Sequence, residues 1–355
     1  MFDIFITTNG PGEISTWVKP FVQEVKKNHP QARVSLFILP CRFSTGNEEE
    51  VALGIREIDY VFRAKDFDKR LRSLPFKHSK NGVIVFLGGD LFEAVLLKLR
   101  YKYKAIAYTE GQKSWKLFFN AFFLRDKDGD LMFSSLQNED LDKTVVKDLS
   151  RKRNIVFFPG SRPEQFKHLF PLFQNVSKHV SAQYRCVFSI SSYIPDKLLE
   201  QYVEEGTIYY KDKSLELMKS AYLAITIPGT NNIELAYLSV PSLIVFPFNY
   251  PEVVNFKGLI GAILNFPILK THGKSWLLRY LNKKVKYTSL VNTKENKLIF
   301  PELRGNLQEK NIIDAINKIL EKSMLDSIKE NLKEINRESN VLNAMLNKVK
   351  EYAEK

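Results

Sequence analysis

Two short segments, beginning at Phe158 and Ile227, carry the residue types that hold a phosphate. They are Phe158-Pro-Gly-Ser-Arg-Pro-Glu164 and Ile227-Pro-Gly-Thr-Asn-Asn-Ile-Glu234. In each, a β-branched or aromatic run stops at Pro-Gly and a polar helix start follows. A helix start presents unpaired backbone N–H groups and partial positive charge. A glycine before it lets an anion approach the backbone. In the first segment Gly160 and Ser161 precede Arg162, whose guanidinium suits a diphosphate. In the second, Gly229, Thr230, Asn231 and Asn232 offer backbone, hydroxyl and amide donors. Glu234, one turn further on, can accept from a ribose diol. Capping accounts for the same residues: Ser161 with Glu164, and Asn231 with Glu234, have capping-box spacing, and Pro163 suits a first helical position. Recurrence of the pattern about seventy residues apart in one domain points instead to a nucleotide diphosphate.

Two segments in the first half carry carboxylates at similar corners. Leu87-Gly-Gly-Asp90 ends a strand-like run, where ligands of open α/β sheets bind. Asp90 is a candidate general base, or the cap of a helix beginning at Leu91. Asn9-Gly-Pro-Gly-Glu13 follows the first such run. Its glycines allow close approach and Glu13 stands near a helix start; a plain tight turn is the other reading.

Elements that could position these corners alternate along the chain. Strands are expected at Phe2–Thr8, Val34–Leu39, Asp59–Phe62, Val83–Leu87, Ala105–Tyr108 and Leu131–Ser134. Helical patterns fall at Ser15–Lys27 and Leu91–Leu99. The polar segment Leu136–Lys152 reads as a linker. Strands then recur at Ile155–Phe158, Tyr184–Ser191, Thr207–Tyr210, Leu223–Ile227 and Leu243–Phe246. Helices are expected from Pro163, near Asp196–Glu204 and Leu215–Ala221, and from Asn231. Such alternation means parallel sheets with helices on both faces. The expected class is α/β: two doubly wound, Rossmann-like domains facing across a cleft. Residues 1–145 form the first and 146–310 the second. Residues 311–355 form C-terminal helices, two within Glu309–Glu354, packing back toward the first.

With 355 residues, 44% hydrophobic and 26% charged, the chain can bury two cores. The net charge of +13 calls for an anionic partner. Cys41, Cys186 and the five histidines form no metal or redox motif, so no metal is expected, and two buried thiols indicate a reducing compartment. The N-terminus lacks a signal-peptide pattern and no apolar run is long enough to span a bilayer; a cytoplasmic protein is expected. Between Glu252 and Glu295 there is no acid but eight Lys and Arg residues, interleaved with Phe256, Leu259, Ile260, Trp276, Leu277 and Tyr280. That composition suits an anionic membrane surface through 253–294. Trp115–Arg125 has similar character, or is a core helix with solvated lysines. Nucleic acid is disfavoured, because aliphatics interleave the basic cluster and no nucleic-acid motif is present.

Together these pieces resemble lipid-A-disaccharide synthase, a glycosyltransferase family with the two-domain GT-B fold. Phe158–Glu164 looks like the family's Leu-Pro-Gly-Ser-Arg element followed by an acid. Gly229–Val245 is similar to its Gly-Thr-x-x-x-Glu run ending in a Val-Pro strand. Lys284–Asn292 followed by Ile299-Phe-Pro-Glu-Leu303 looks like its late segment. Gly12, Glu13 and Ser15 match its Ala-Gly-Glu-x-Ser turn in part, and Thr16-Trp17 replaces a glycine-aspartate. Asp90 falls where the family has a strand-end aspartate. The resemblance implies inverting transfer of a sugar, an N-acetylglucosamine derivative, from a UDP donor to a lipid-linked acceptor at the cytoplasmic membrane. Gly160, Ser161, Arg162, Gly229, Thr230, Asn231 and Asn232 would hold UDP without a metal, Glu234 the ribose, and Asp90 or Glu13 would serve as base. Alternatives are a sugar-nucleotide epimerase, a cell-wall lipid glycosyltransferase, or a non-catalytic membrane-binding relative. Oligomeric state is open.

Overall fold

The computed structural model describes residues 1–40, 47–137, 149, 153–180, 182–250 and 285–353. The chain divides into two compact units, Met1–Glu139 with Arg337–Lys355, and Asp140–Asn336.

The first unit holds six strands: β1 (Asp3–Thr8), β2 (Arg33–Ile38), β3 (Tyr60–Phe62), β4 (Gly82–Phe86), β5 (Lys104–Thr109) and β6 (Ala121–Leu124). They pair in parallel in the order β3-β2-β1-β4-β5-β6. Side chains alternate between faces along a strand, and here both faces are apolar. Ile4, Ile6, Leu36, Val83 and Val85 join one buried cluster with Trp17, Phe21, Leu342 and Met345. Phe5, Phe37, Ile84 and Phe86 join another with Leu91, Ala94 and Leu97. Such double burial is what parallel sheets require. At the amino-terminal edge Asp3 is fully buried. It accepts from Arg33 Nε at 2.7 Å, Ser79 N at 2.7 Å and Tyr103 Oη at 2.9 Å.

The second unit repeats the arrangement with β7 (Asn154–Phe157), β8 (Arg185–Ile190), β9 (Tyr209–Lys211), β10 (Ala221–Thr226), β11 (Ser242–Pro247) and β12 (Glu302–Gly305). Their order is β12-β11-β10-β7-β8-β9. Counted within each unit, both sheets run 3-2-1-4-5-6, the doubly wound order of dinucleotide-binding folds. The order reverses between β1 and β4 in the first sheet and between β7 and β10 in the second.

Four expectations change. Leu131–Ser134 is no strand; it lies in the helix Leu131–Gln137. Asp130 starts that helix, its Oδ1 accepting from Met132 N at 2.9 Å, and a short apolar run carries no period to reveal this. The sixth strand is Ala121–Leu124, so Trp115–Arg125 is not a core helix but a loop entering a strand. The C-terminal part contains three helices, not two: Glu309–Leu320, Lys322–Lys333 and Val341–Ala353. The first two belong to the second unit and the last to the first. Cys186 is only partly buried, while Cys41 lies outside the described residues. So do most of the linker Leu136–Lys152 and residues 251–284 of the basic apolar segment. Among the described residues no helix is long and apolar enough to cross a membrane.

Candidate functional site

In the second unit the two Pro-Gly corners lie side by side. β7 and β10 are hydrogen-bonded neighbours, with Phe157 opposite Ile225. The pairing continues past the strand end, where Phe158 N donates to Ile225 O at 2.8 Å. Both chains then turn away at the sheet's carboxyl edge, at the point where strand order reverses. That is where open α/β sheets bind ligands.

The two glycines differ. Gly160 has φ +101°, and a β-carbon there would come within 2.9 Å of Gln165 Cβ and 3.0 Å of Ile227 Cδ1. The fold itself demands glycine at this corner. Gly229 has no such constraint: a β-carbon would meet only Ile227 O, at 4.0 Å. The space beside its α-carbon is open.

After the first corner the helix Pro163–Val180 begins. Arg162 precedes it, partly buried, and its carbonyl accepts from Phe166 N at 2.9 Å. Glu164 is exposed and pairs with Lys167 at 2.7 Å. After the second corner Asn231–Tyr237 is helical, and the Thr230 hydroxyl makes no capping bond. Asn232 is fully buried and braces the corner. Its Nδ2 donates to Ile227 O at 3.0 Å, and its Oδ1 accepts from Gly229 N at 3.4 Å. Asn232 therefore shapes the turn, while Thr230, Asn231 and Glu234 are partly exposed along it, as Ser161 is at the first corner.

Sequence reasoning did not assign a role to Glu302. It is buried at the start of β12, where its carboxylate accepts from Thr288 N, Thr288 Oγ1, Ser289 N and Asn292 Nδ2 at 2.7–3.1 Å and pairs with Arg304 at 3.0 Å. A carboxylate so saturated is a brace. It fixes the start of helix Leu290–Glu295, which packs on helix Asn231–Tyr237 behind the second corner. The Pro-Glu-Leu run that carried the family resemblance was the available signal.

The first unit brings its own two corners together at the corresponding place. A β-carbon on Gly88 would lie 3.2 Å from Glu13 Cγ and 3.4 Å from Asn9 Oδ1, and one on Gly10 would strike the Glu13 carboxylate. Glu13 thus sits between the ends of β1 and β4. Asp90 is exposed at the same edge and caps helix Leu91–Tyr101, its Oδ1 accepting from Phe92 N at 3.0 Å. Directly after Glu13 the chain makes a π-helix, Ile14–Val18. Thr16 Oγ1 bonds back to Gly12 O at 2.7 Å, and Trp17 is buried edge-on to Tyr108 with ring centroids 5.2 Å apart. The Thr16-Trp17 replacement is therefore spent on local bonding and core packing. π-Helical turns of this kind recur beside functional residues.

A cavity of about 410 Å³ lies past β11 and β12, lined by Leu172, Asn249, Tyr250, Leu307 and Glu309. It does not include the corner residues. Among the described residues no cluster of His, Cys, Asp and Glu could hold a metal.

The sequence matches no protein-family model. Over 99 residues it is 31% identical to lipid-A-disaccharide synthase of Gloeothece citriformis, covering 26% of each chain. Over 228 residues it is 24% identical to lipid-A-disaccharide synthase of Campylobacter jejuni, covering 56% of this chain and 62% of that one. The matched part thus spans less than two thirds of either relative. Among solved structures, S. aureus MnaA with UDP gives a TM-score of 0.58 at 10% identity, covering 99% of this chain and 97% of that one. A UDP-glucosyltransferase from Polygonum tinctorium gives 0.52 at 12% identity over 100% and 99%. UDP-GlcNAc 2-epimerase of Methanocaldococcus jannaschii, with UDP-GlcNAc and UDP, gives 0.51 at 11% identity over 91% and 93%. At such identities the likeness is one of fold, and the fold is GT-B.

Proposed function

We propose that this divergent relative of the lipid-A-disaccharide synthases is a glycosyltransferase using a UDP-sugar donor. The observation that carries the reading is the pairing of the Gly160 and Gly229 corners at the strand-order reversal of the second sheet. Two helix starts there offer backbone donors to one diphosphate, and Gly229 leaves room for it. Arg162 adds a fixed cation. Glu234, in the first turn of the second helix, offers a carboxylate that can accept from a ribose diol, as acids do in dinucleotide folds.

Chemistry follows from where charge develops. As the bond from the anomeric carbon to the diphosphate breaks, negative charge grows on the leaving oxygen, and the two helix starts with Arg162 stabilise it. The sugar gains oxocarbenium character. The acceptor hydroxyl attacks the anomeric carbon from the opposite side and inverts it, giving its proton to a general base, for which Glu13 and Asp90 are the candidates. No metal is assigned a part. The name of the sequence relatives, lipid-A-disaccharide synthase, supports a lipid-linked acceptor; an N-acetylglucosamine derivative as donor and action at the cytoplasmic membrane are what the family resemblance implies. Membrane contact through 253–294 follows from that segment's charge.

The test is thermal stabilisation by UDP and UDP-N-acetylglucosamine. It should be present in the wild type and lost in Arg162→Ala and Glu234→Ala. No shift with any uridine nucleotide would sink the proposal. The names of the epimerase neighbours favour a second reading. Incubation with UDP-N-acetylglucosamine separates the two, since a transferase releases UDP only with an acceptor and an epimerase changes the UDP-sugar alone.

A further inference from the structure

One crossover in the first sheet departs from the others. Parallel neighbours are ordinarily joined by a helix that lays its apolar stripe on the sheet. Between β5 and β6 the chain instead runs through residues 110–120 with a single 3₁₀ turn, Lys116–Phe118. The base of this loop is fixed. Arg125 pairs with Glu110 at 3.1 Å, Thr109 Oγ1 donates to Gln112 O at 2.8 Å, and Lys98 Nζ bonds Asn120 Oδ1 at 3.1 Å and the Phe118 carbonyl. Its tip faces outward. Every residue from Gly111 to Phe118 is exposed, Leu117 at 99%. Trp115 and Phe118 meet as tilted rings with centroids 5.5 Å apart, and Trp115 meets Phe92 of the neighbouring helix, also tilted, at 5.2 Å. Phe92, Trp115, Leu117 and Phe118 therefore form one exposed apolar patch. Trp115 holds φ +59°, a conformation that bulky residues rarely adopt.

We infer that this patch is a docking surface for an anionic lipid bilayer. Exposed contiguous apolar side chains signal an interaction site, and tryptophan partitions to the water–headgroup boundary. Lys116 lies between Trp115 and Leu117, Lys113 stands two residues before Trp115, and residues 111–120 contain no acid. Lysines so placed favour an acidic headgroup layer. Against a second copy of this chain, a twofold contact would set the same lysines near each other with no carboxylate in the run to pair them. The inference deepens the proposed function in one respect and rests on it there: Phe92 is two residues from Asp90, so a lipid-linked acceptor held by the patch would lie beside a candidate base. Bilayer binding itself does not depend on that reading.

The experiment is co-sedimentation of the full chain with phosphatidylcholine vesicles, with and without phosphatidylglycerol. Leu117→Glu and Trp115→Ala should each weaken binding to the acidic vesicles by about tenfold or more, by removing apolar insertion and, for the former, adding a like charge to the lipid. A Trp276→Phe background with brominated lipid should show quenched fluorescence that Trp115→Phe abolishes, which separates this loop from 253–294. Wild-type vesicle binding by Leu117→Glu, or unquenched Trp115 on bound protein, overturns the inference. So does a self-associated wild type that Leu117→Glu dissociates without change in vesicle binding. UDP stabilisation measured on the same variants should be unaltered. If vesicle binding depends on Leu117 while UDP has no effect on any variant, the docking surface stands and the transferase reading fails.

Discussion

The side chain of Ile227 occupies the space that any β-carbon on Gly160 would need, with its Cδ1 3.0 Å from that position. One phosphate-type corner is therefore packed against the residue that leads into the other. The pair acts as a unit, and the two glycines should respond differently to substitution.

Gly160→Ala forces a side chain into φ +101° and against Ile227 and Gln165. It should destabilise the fold by about 1–3 kcal/mol and abolish UDP binding. Gly229→Ala meets open space, so its melting temperature should equal that of the wild type, while UDP affinity falls at least tenfold. Thermal melts with and without UDP read both; loss of stability in Gly229→Ala would show that the corner is closed.

Asp90→Asn keeps a capping side chain at the start of Leu91–Tyr101, so the fold should be retained. If Asp90 is the base, transfer falls by about 10²–10⁴ with UDP binding unchanged. Glu13→Gln gives the same result if Glu13 is the base. Turnover and UDP affinity measured on both variants identify which carboxylate takes the proton. Normal turnover in both would remove the base from the first unit.

Asp3→Ala would leave Arg33 and Tyr103 facing a buried gap at the amino-terminal edge. Breaking a buried charge pair from one side costs about 3–5 kcal/mol. Urea unfolding should show that loss, and UDP stabilisation of the folded fraction should persist, because Asp3 stands at the opposite edge of its sheet from the corners of the first unit and in a different unit from Gly160.

Burial pushes the Cys186 thiol up to about 12. A raised folded value means the thiol stays protonated in the native protein while the unfolded chain ionises near the usual thiol range, about 8.5. The stabilising contribution is complete below that range and is lost as pH rises through it toward about 12. Cys186→Ala should flatten the alkaline decline of the melting temperature, and the native thiol should resist disulfide reagents at pH 8 until denaturant is added.

Excess EDTA should leave transfer unchanged, since the helix starts and Arg162 are assigned the charge of the departing diphosphate. Loss of turnover restored by magnesium or manganese would reassign that role to a cation.

Much of this molecule was legible in residue order. β-Branched and aromatic runs marked most strands, because parallel strands buried on both faces need them. Pro-Gly followed by polar residues marked both corners of the second unit. Strand order was not legible: nothing in Phe158–Glu164 says that its neighbour is Ile227–Glu234, and only the pairing of β7 with β10 brings them together. Local chemistry also competed. Asp130 turned an apolar run into a helix, Ala121–Leu124 was hidden behind the aromatic loop, and Glu164 paired with Lys167. Asn232 read as a ligand donor, yet its amide is bound by the corner's own backbone. Glu302 was visible only as part of a family-like run, since its five partners come from residues 288–304 folded around it.

The helix Val341–Ala353 lies in the same buried cluster as Ile4 and Trp17 of the first unit, with Leu342 N bonded to Ser134 Oγ at 3.2 Å and Asn81 Nδ2 to Ala353 O at 3.2 Å. During synthesis the amino-terminal sheet must therefore wait, one apolar face only partly covered, while the whole second unit emerges from the ribosome. The second unit can mature first, and a messenger truncated anywhere before residue 341 would yield a chain whose earliest-made half is the one that cannot finish folding.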